Sequence, residues 1–397
     1  MLVLIGMNPV TTTNFIAQTL YGGVASFTNL ALPFFMICGT IMETGGLSKR
    51  LVRFANSLVG GITGSLGMVT VMFFGAVSGS APATVAAIGS IMIPMMVSNG
   101  YNKYYATGLT CCAGGLGVIV PPSYPMVLYG VTCNVSVGKL FIAGLGPAFV
   151  VGGLLMLINY VMCKRWGIKG DTKLELKNIA SSFWDAKWAL IMPVIILGGI
   201  YSGIFTPTQA SGIAVIYGLI LGVLVYKEIK FKDIVKMFIE SGITAASAML
   251  IVSLADGFNW IITTNRVPKM LSDWFLGIFS SAAGILIALI ILLTIIGCFM
   301  SVNAAMIVLT PILVPVMRSF NVSPITLGII MIICVSLGMV TPPFGVNLFV
   351  AAGIAKVPFD CMTKHAFILV GLCLAVLIAM VFIPGIITFL PSLLGMS

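Results

Sequence analysis

Two short polar strings, Ser78-Gly79-Ser80 and Ser301-Val302-Asn303, interrupt long apolar stretches of this chain. Each is followed by glycines and a Pro-Pro pair: Gly114-Gly115, Gly117 and Pro121-Pro122 behind the first, Gly338 and Pro342-Pro343 behind the second. Ser78, Ser80, Ser301 and Asn303 carry oxygens on short side chains, and Gly79 lets a backbone approach closely. Gly114, Gly115, Gly117 and Gly338 permit a helix to unwind, while Pro122 and Pro343 remove donors and help free nearby carbonyls. Carbonyl-bearing helix ends suit a hard cation with oxygen ligands, and N-terminal ends suit a carboxylate. The same Ser-Gly-Ser-Ala string also fits a small-residue packing patch between membrane helices. The recurrence of the whole pattern, with Gly-x-x-x-Pro-Pro behind both copies, favours the binding site.

That recurrence is an internal repeat. Displaced by 221 positions, Ala76–Tyr129 meets Gly297–Val350 without a gap, with Ser80 on Ser301, Pro94 on Pro315 and Gly117 on Gly338. Upstream the match survives a one-residue slip that puts Leu51 on Leu271. Matching interruptions in two halves of a hydrophobic chain mark the binding site of a secondary transporter, near mid-membrane.

The chain has 397 residues, 59% hydrophobic and only 8% charged, with a mean hydropathy of +1.17. A soluble domain carries about 25% charge, so this is an integral membrane protein, helical because its apolar runs do not alternate as barrel strands do. The net charge of +10 is spread over loops as a topology signal, with no basic run interleaved with aromatics, so no nucleic acid is expected. The nine cysteines show no CxxC or zinc spacing, and no disulfide is expected. No removable signal peptide is read at the N-terminus.

Stepping along the chain, Met1–Met7 is too short to span, and Leu30–Met42 continues as an apolar segment. Lys49–Leu58 suits an interfacial helix. Ser65–Val77 and Pro82–Val97 reach only about 20–24 Å at 1.5 Å per residue, short of the roughly 30 Å hydrocarbon core. They predict a re-entrant hairpin with its tip at Ser78–Ala81. Tyr104–Tyr129 is a broken helix, and Val137–Met162 a span. Trp188–Tyr201 and Pro207–Tyr226 form a two-helix excursion between basic loops at Lys164–Lys177 and Lys227–Lys236. Phe238–Ile262 crosses again, and Val267–Phe279 is a second interfacial stretch. Gly284–Met300 and Ala304–Met317 form a second hairpin, Thr326–Phe349 a second broken helix, and Phe367–Leu390 closes the chain. Counting crossings places all three basic clusters on the cytoplasmic side. Lys49 and Lys269 are then five crossings apart, so the repeats are inverted. The expected fold is an all-α polytopic membrane protein with inverted repeats, two re-entrant hairpins and two broken helices. Its expected units are 1–62 (scaffold segment and arm helix), 63–136 (repeat 1), 137–280 (scaffold helices and second arm), 281–357 (repeat 2) and 358–397 (closing scaffold helix).

Weaker candidates are Glu240 and Asp256, acids near or within an apolar span, and His365, which reads as an interfacial residue at a helix start. Ser78 with His365 lacks the elbow and second base of a hydrolase, and no enzyme is expected. No GxxxxGK[ST] occurs, so ATP does not drive the protein directly.

The strings LPFFMICGTIMETGGLSKRLVRFANSLVG (32–60), FFGAVSGSAPATVAAIGSIMIPMM (73–96), GGLGVIVPPSYPMVLYG (114–130), GKLFIAG (138–144) and LGMVTPPFGVNLFVAAGIA (337–355) resemble the large membrane subunit of tripartite ATP-independent periplasmic (TRAP) transporters. The resemblance runs over nearly the whole chain. It implies a sodium-driven importer of organic acids, of the C4-dicarboxylate or sialic acid class, working by an elevator motion of the domain that carries both hairpins. It implies two partners, a small four-helix membrane subunit and a soluble periplasmic binding protein, in the bacterial inner membrane. By the same likeness one sodium site maps to Ser78, Gly79 and Ser80 with Gly114, Gly115, Gly117 and Pro121-Pro122. The other maps to Ser301, Val302 and Asn303 with Ser336, Gly338, Thr341 and Pro342-Pro343. Substrate is expected between the tips, near Ala81, Pro82 and Asn303. Family members usually begin with a further full membrane helix; here either the start codon is misplaced or that helix belongs to an upstream part, such as one fused to the small subunit. The other function in view is a stand-alone sodium/carboxylate symporter needing no binding protein.

Overall fold

In hydrocarbon a backbone must satisfy its own polar groups, which leaves helices or closed barrels. The computed structural model describes residues 17–19, 21–22, 24–59, 80–168, 176–279, 281–383 and 385–393, and among these there is no strand. Seven of the described helices are long and apolar enough to cross a membrane, or up to ten if each sharply bent pair counts as one span.

The helices, in chain order, are α1 (Ala31–Thr44), α2 (Leu47–Val59), α3 (Ala81–Ser98), α4 (Lys103–Leu116), α5 (Tyr124–Cys133), α6 (Val137–Trp166), α7 (Leu176–Tyr201) and α8 (Pro207–Ile220). There follow α9 (Phe231–Thr264), α10 (Val267–Ile278), α11 (Ala282–Gly297), α12 (Val302–Ser319), α13 (Pro324–Gly338), α14 (Val346–Ala355), α15 (Phe359–Phe382) and α16 (Gly385–Leu393). The 221-residue repeat is written into these bounds: α3 and α12 coincide at both ends under that shift, and α4 and α13 begin in register. Upstream, the one-residue slip carries the C-terminal end of α1 onto that of α9 and the start of α2 onto that of α10.

The two copies exchange partners. α3 packs on α14, the second half of the other copy's broken helix, and α12 packs on α5 in the same way; the arm expected at Ser65–Val77 lies outside the described residues. Small residues permit the closest approaches. A β-carbon on Gly114 would lie 2.5 Å from Val85 Cγ2, so α3 rests on the bare backbone of α4. Gly297 and Gly338 face each other across α11 and α13, where an added β-carbon on Gly338 would lie 2.6 Å from Gly297 Cα. Each break is short. α4 runs into a 3-10 turn at Gly117–Ile119, and both Pro121-Pro122 and Pro342-Pro343 are cis.

The charged end of the molecule is built from three distant stretches. Arg50 Nη1 lies 2.6 Å from Glu228 Oε1 and its Nε 3.4 Å from Asp185, while Arg53 Nη1 lies 3.1 Å from Asp185 Oδ2. The Arg50 guanidinium also sits 3.8 Å from the Tyr226 ring centroid. The corner between α1 and α2, bent by 68°, turns at Gly46 with φ +73, where a side chain would strike the Glu228 carboxylate. Lys49–Arg53, the start of α7 and the 227–236 stretch therefore share one end, which the positive-inside rule makes cytoplasmic. Arg50 is 19% exposed and Arg53 74%. Arg50→Ala is expected to lower stability by about 1–2 kcal/mol in a detergent melt and Arg53→Ala by under about 0.5 kcal/mol, because exposed pairs contribute little.

Several bounds differ from the sequence reading: α9 begins at Phe231 rather than Phe238, inside the stretch read as a basic loop, and α15 at Phe359 rather than Phe367. α7 begins at Leu176 rather than Trp188, and the closing segment is two helices, α15 and α16, divided after Ile383 rather than one helix over 367–390. The polar start of α7, with Ser181, Ser182 and Asp185, is helical because it lies along α2: Ser182 Oγ and Ser57 Oγ are 2.6 Å apart.

Candidate substrate and cation site

The N-terminal ends of α3 and α12, where the hairpin tips are expected, meet one cavity of about 290 Å³. Ser80 and Ala83 reach it from the first copy, Pro122 and Tyr124 from the first break, and Asn303 from the second copy. The opposite wall belongs to α1 (Phe35, Met36, Cys38, Gly39, Thr40, Met42, Glu43), α7 (Ile196) and α9 (Glu240, Ser241, Thr244). Ser241 Oγ donates to Thr40 Oγ1 at 2.9 Å and ties α9 to α1 at this wall.

Each tip is a helix start. Ser80 is extended, and its carbonyl accepts from both N and Oγ1 of Thr84 at 2.9 Å, with Pro82 in the first turn of α3. Ser301 caps α12, its Oγ accepting from Ala304 N at 3.3 Å. Asn303, the second residue of α12, holds its Oδ1 buried with no hydrogen-bond partner. Ala81 and Val302, the first residues of the two arms, are buried. Ser78 and Gly79 lie outside the described residues.

The breaks are joined to each other. Ser336 Oγ donates to the carbonyl of Gly115, so a residue that the resemblance puts in the second sodium set touches one that it puts in the first. These two positions are equivalent under the repeat, being 221 apart. Ser123 Oγ likewise donates to Val118 O and ties off the first break. In the second break Thr341 N donates to Gly338 O at 2.8 Å and Thr341 Oγ1 to Leu337 O at 2.9 Å. Thr341 borders a separate, largely apolar cavity of about 230 Å³ between α11 and α15. Ser80, Pro122 and Asn303 thus share one cavity, while Gly114, Gly115, Gly117, Ser336 and Gly338 form the packed floor between the copies.

Glu43, Glu240, Thr40, Ser241, Thr244 and Tyr124 line the cavity without having been singled out for it by sequence, save Glu240 as an intramembrane acid. The signal for Glu240 was an acid near an apolar span; in the structure it pairs with Lys236, one turn earlier, at 3.8 Å. Asp256 is not among the lining residues, and His365 packs its ring edge-on against Tyr105 at 6.0 Å.

Solved structures share this architecture. The Alcanivorax borkumensis YdaH transporter aligns with a TM-score of 0.70 at 17% identity over 98% of this chain and 90% of its own. Neisseria gonorrhoeae MtrF, described within a class of antimetabolite efflux pumps, aligns with a TM-score of 0.68 at 14% identity, over 94% of this chain and 85% of that one. The fold is therefore shared with these two chains over nearly the whole length. The family model described as "Tripartite ATP-independent periplasmic transporter, DctM component" matches residues 1–386. The chain belongs to that family, the large permease components of TRAP transporters. It is 42% identical over 377 residues to the isethionate TRAP transporter permease protein DctMQ of Oleidesulfovibrio alaskensis, covering 94% of this chain and 59% of that protein. It is 39% identical to the C4-dicarboxylate large permease DctM of Pseudomonas aeruginosa (94% of this chain, 88% of the relative). It is 37% identical to the sialic acid large permease SiaM of Vibrio cholerae (96% and 90%). These relatives are permease subunits and not enzymes, and the chain is a multi-pass protein of the bacterial inner membrane.

Proposed function

We propose that this chain is the permease subunit of a sodium-coupled importer of organic acids, of the C4-dicarboxylate or sialic acid class. A periplasmic binding protein delivers the substrate, and a small four-helix subunit completes the membrane part. The unit carrying both hairpins moves against α1, α7 and α9 as an elevator, its inverted copies exposing the site to each side in turn.

One observation carries this reading. The cavity that receives the starts of α3 and α12 has two carboxylates, Glu43 and Glu240, of which Glu240 pairs with Lys236 at 3.8 Å, and among the described residues no Lys or Arg lines it. An organic anion entering it meets like charge, which is unfavourable at short range in a medium less polar than water. The compensating positive charge is available from the N-terminal ends of α3 and α12 and from cations bound at the tips. Asn303 Oδ1 and the oxygens around Ser80 and Ser301 are the donor type that sodium takes, and coupling follows from the need to bind cation and anion together. α3 and α12 have the length and composition of spanning helices. Their role as arms of half-depth hairpins rests on the inverted connectivity read from the basic clusters.

The test is uptake by the permease reconstituted with its small subunit and binding protein. A tenfold inward sodium gradient supplies about 1.4 kcal/mol per ion, and should accelerate accumulation of binding-protein-delivered substrate over a choline control. No response to a sodium gradient of either direction overturns the coupling. Uptake of free substrate by this chain alone would favour the stand-alone symporter instead.

A further inference from the structure

We infer that Asn347 forms a further sodium site where the two breaks meet, outside the lining of the cavity that Ser80 and Asn303 share and drawing on Gly115 and Ser336, which the resemblance divides between its two sodium sets. This rests on the reading of the chain as a sodium-coupled permease. Asn347, in the first turn of α14, is fully buried, and neither its Nδ2 nor its Oδ1 has a hydrogen-bond partner. Buried amides in native proteins are almost always satisfied, by protein, water or an ion. The side chain faces the junction of the two breaks. A β-carbon on Gly115 would lie 3.1 Å from Val340 Cγ2, 3.2 Å from Asn347 Nδ2 and 3.4 Å from the carbonyl oxygen of Ser336. A half-turn about the last side-chain torsion presents Oδ1 to the same point.

The surroundings select a cation over water. Gly115 and Ser336 lie in the last turns of α4 and α13, so two helix C-termini converge where Ser336 Oγ meets Gly115 O. Each carries about half a negative charge and carbonyls without intrahelical donors. Neither last turn contains a basic residue to offset this. Two like dipole ends held together in a buried place favour a positive charge, and the oxygens of Asn347 and Ser336 with the carbonyls of the break are ligands for a hard one. A water molecule would satisfy the amide but leave the converging ends uncompensated. The site is not a product of the duplication. Asn347 corresponds under the repeat to Met126, an apolar side chain packed on Gly144. A single cation there would bind both breaks at once and make the packing of the copies depend on sodium.

The experiment uses the permease with its small subunit, comparing wild type, Asn347→Ala and Asn347→Asp in sodium chloride against choline chloride at constant ionic strength. Thermal melting and the sodium dependence of uptake are both followed. Asn347→Ala is expected to raise the half-saturating sodium concentration for both by about tenfold or more and to make the uptake curve less steep. Asn347→Asp, which supplies a charged oxygen to the cation, is expected to keep wild-type sodium dependence and to melt lower than wild type only in choline. Should Asn347→Ala keep the wild-type dependence, the amide holds water and the site is refuted. Loss of the sodium response in both variants would also refute it, as a packing role. A wild type that ignores sodium in both readouts refutes the coupling reading itself, an outcome distinct from the other two.

Discussion

Asn303→Leu is expected to cut sodium-dependent uptake by about a hundredfold while leaving the folded protein as stable as wild type to within about 0.5 kcal/mol. The two expectations have the same origin. Asn303 Oδ1 is buried and makes no hydrogen bond within the protein, so a leucine of similar size removes no internal bond. What it removes is an acceptor facing the cavity that Ser80 also lines. Hydrogen bonds to charged partners contribute roughly 1.5–3 kcal/mol, which spans ten- to over a hundredfold in affinity. Uptake in proteoliposomes and melting in detergent read the two effects separately. Unaltered uptake would remove Asn303 from the site, and a large loss of stability would show that its role is structural.

Gly338→Ala should act in the opposite way, through the fold. The added methyl would lie 2.4 Å from the carbonyl oxygen of Thr294 and 2.6 Å from Gly297 Cα, and both are backbone atoms that cannot turn aside. α11 and α13 must separate, and overpacking of this kind costs typically 1–3 kcal/mol. Because the contact holds α11 to α13, the expected result is a melting loss of about 2–3 kcal/mol accompanied by poor sodium response. A variant that melts like wild type would show that the two helices slide apart freely at this point. Gly353→Ala, where an added methyl meets nothing within 4 Å, is the control.

Much of this arrangement was legible because duplication supplies an internal alignment. Pro94 with Pro315 and Gly117 with Gly338 set a register that the helix ends of α3 and α12 obey. The breaks were legible because glycine and proline act on the backbone directly. The start of α7 was hidden, since Ser181, Ser182, Asp185 and Lys187 read as a loop until α2 is seen lying against them. Likewise Asp360, Lys364 and His365 masked the first turns of α15. The cavity wall was hidden for another reason: Thr40 and Glu43 meet Glu240, Ser241 and Thr244 only through packing of helices some 200 residues apart. Asn347 had no counterpart in the other copy to draw attention to it. Its importance lies in what surrounds it, which a linear pattern does not carry.

The exchange of partners between the copies has a consequence for biosynthesis. α3 leaves the ribosome about 250 residues before α14, the helix it finally covers. At 5–20 residues per second that is a wait of roughly 12–50 s, during which an arm with a polar tip sits in lipid without its neighbour. The nascent first half must be sheltered by the insertion machinery or by α4, and neither half of the gene is expected to yield a finished domain when expressed without the other.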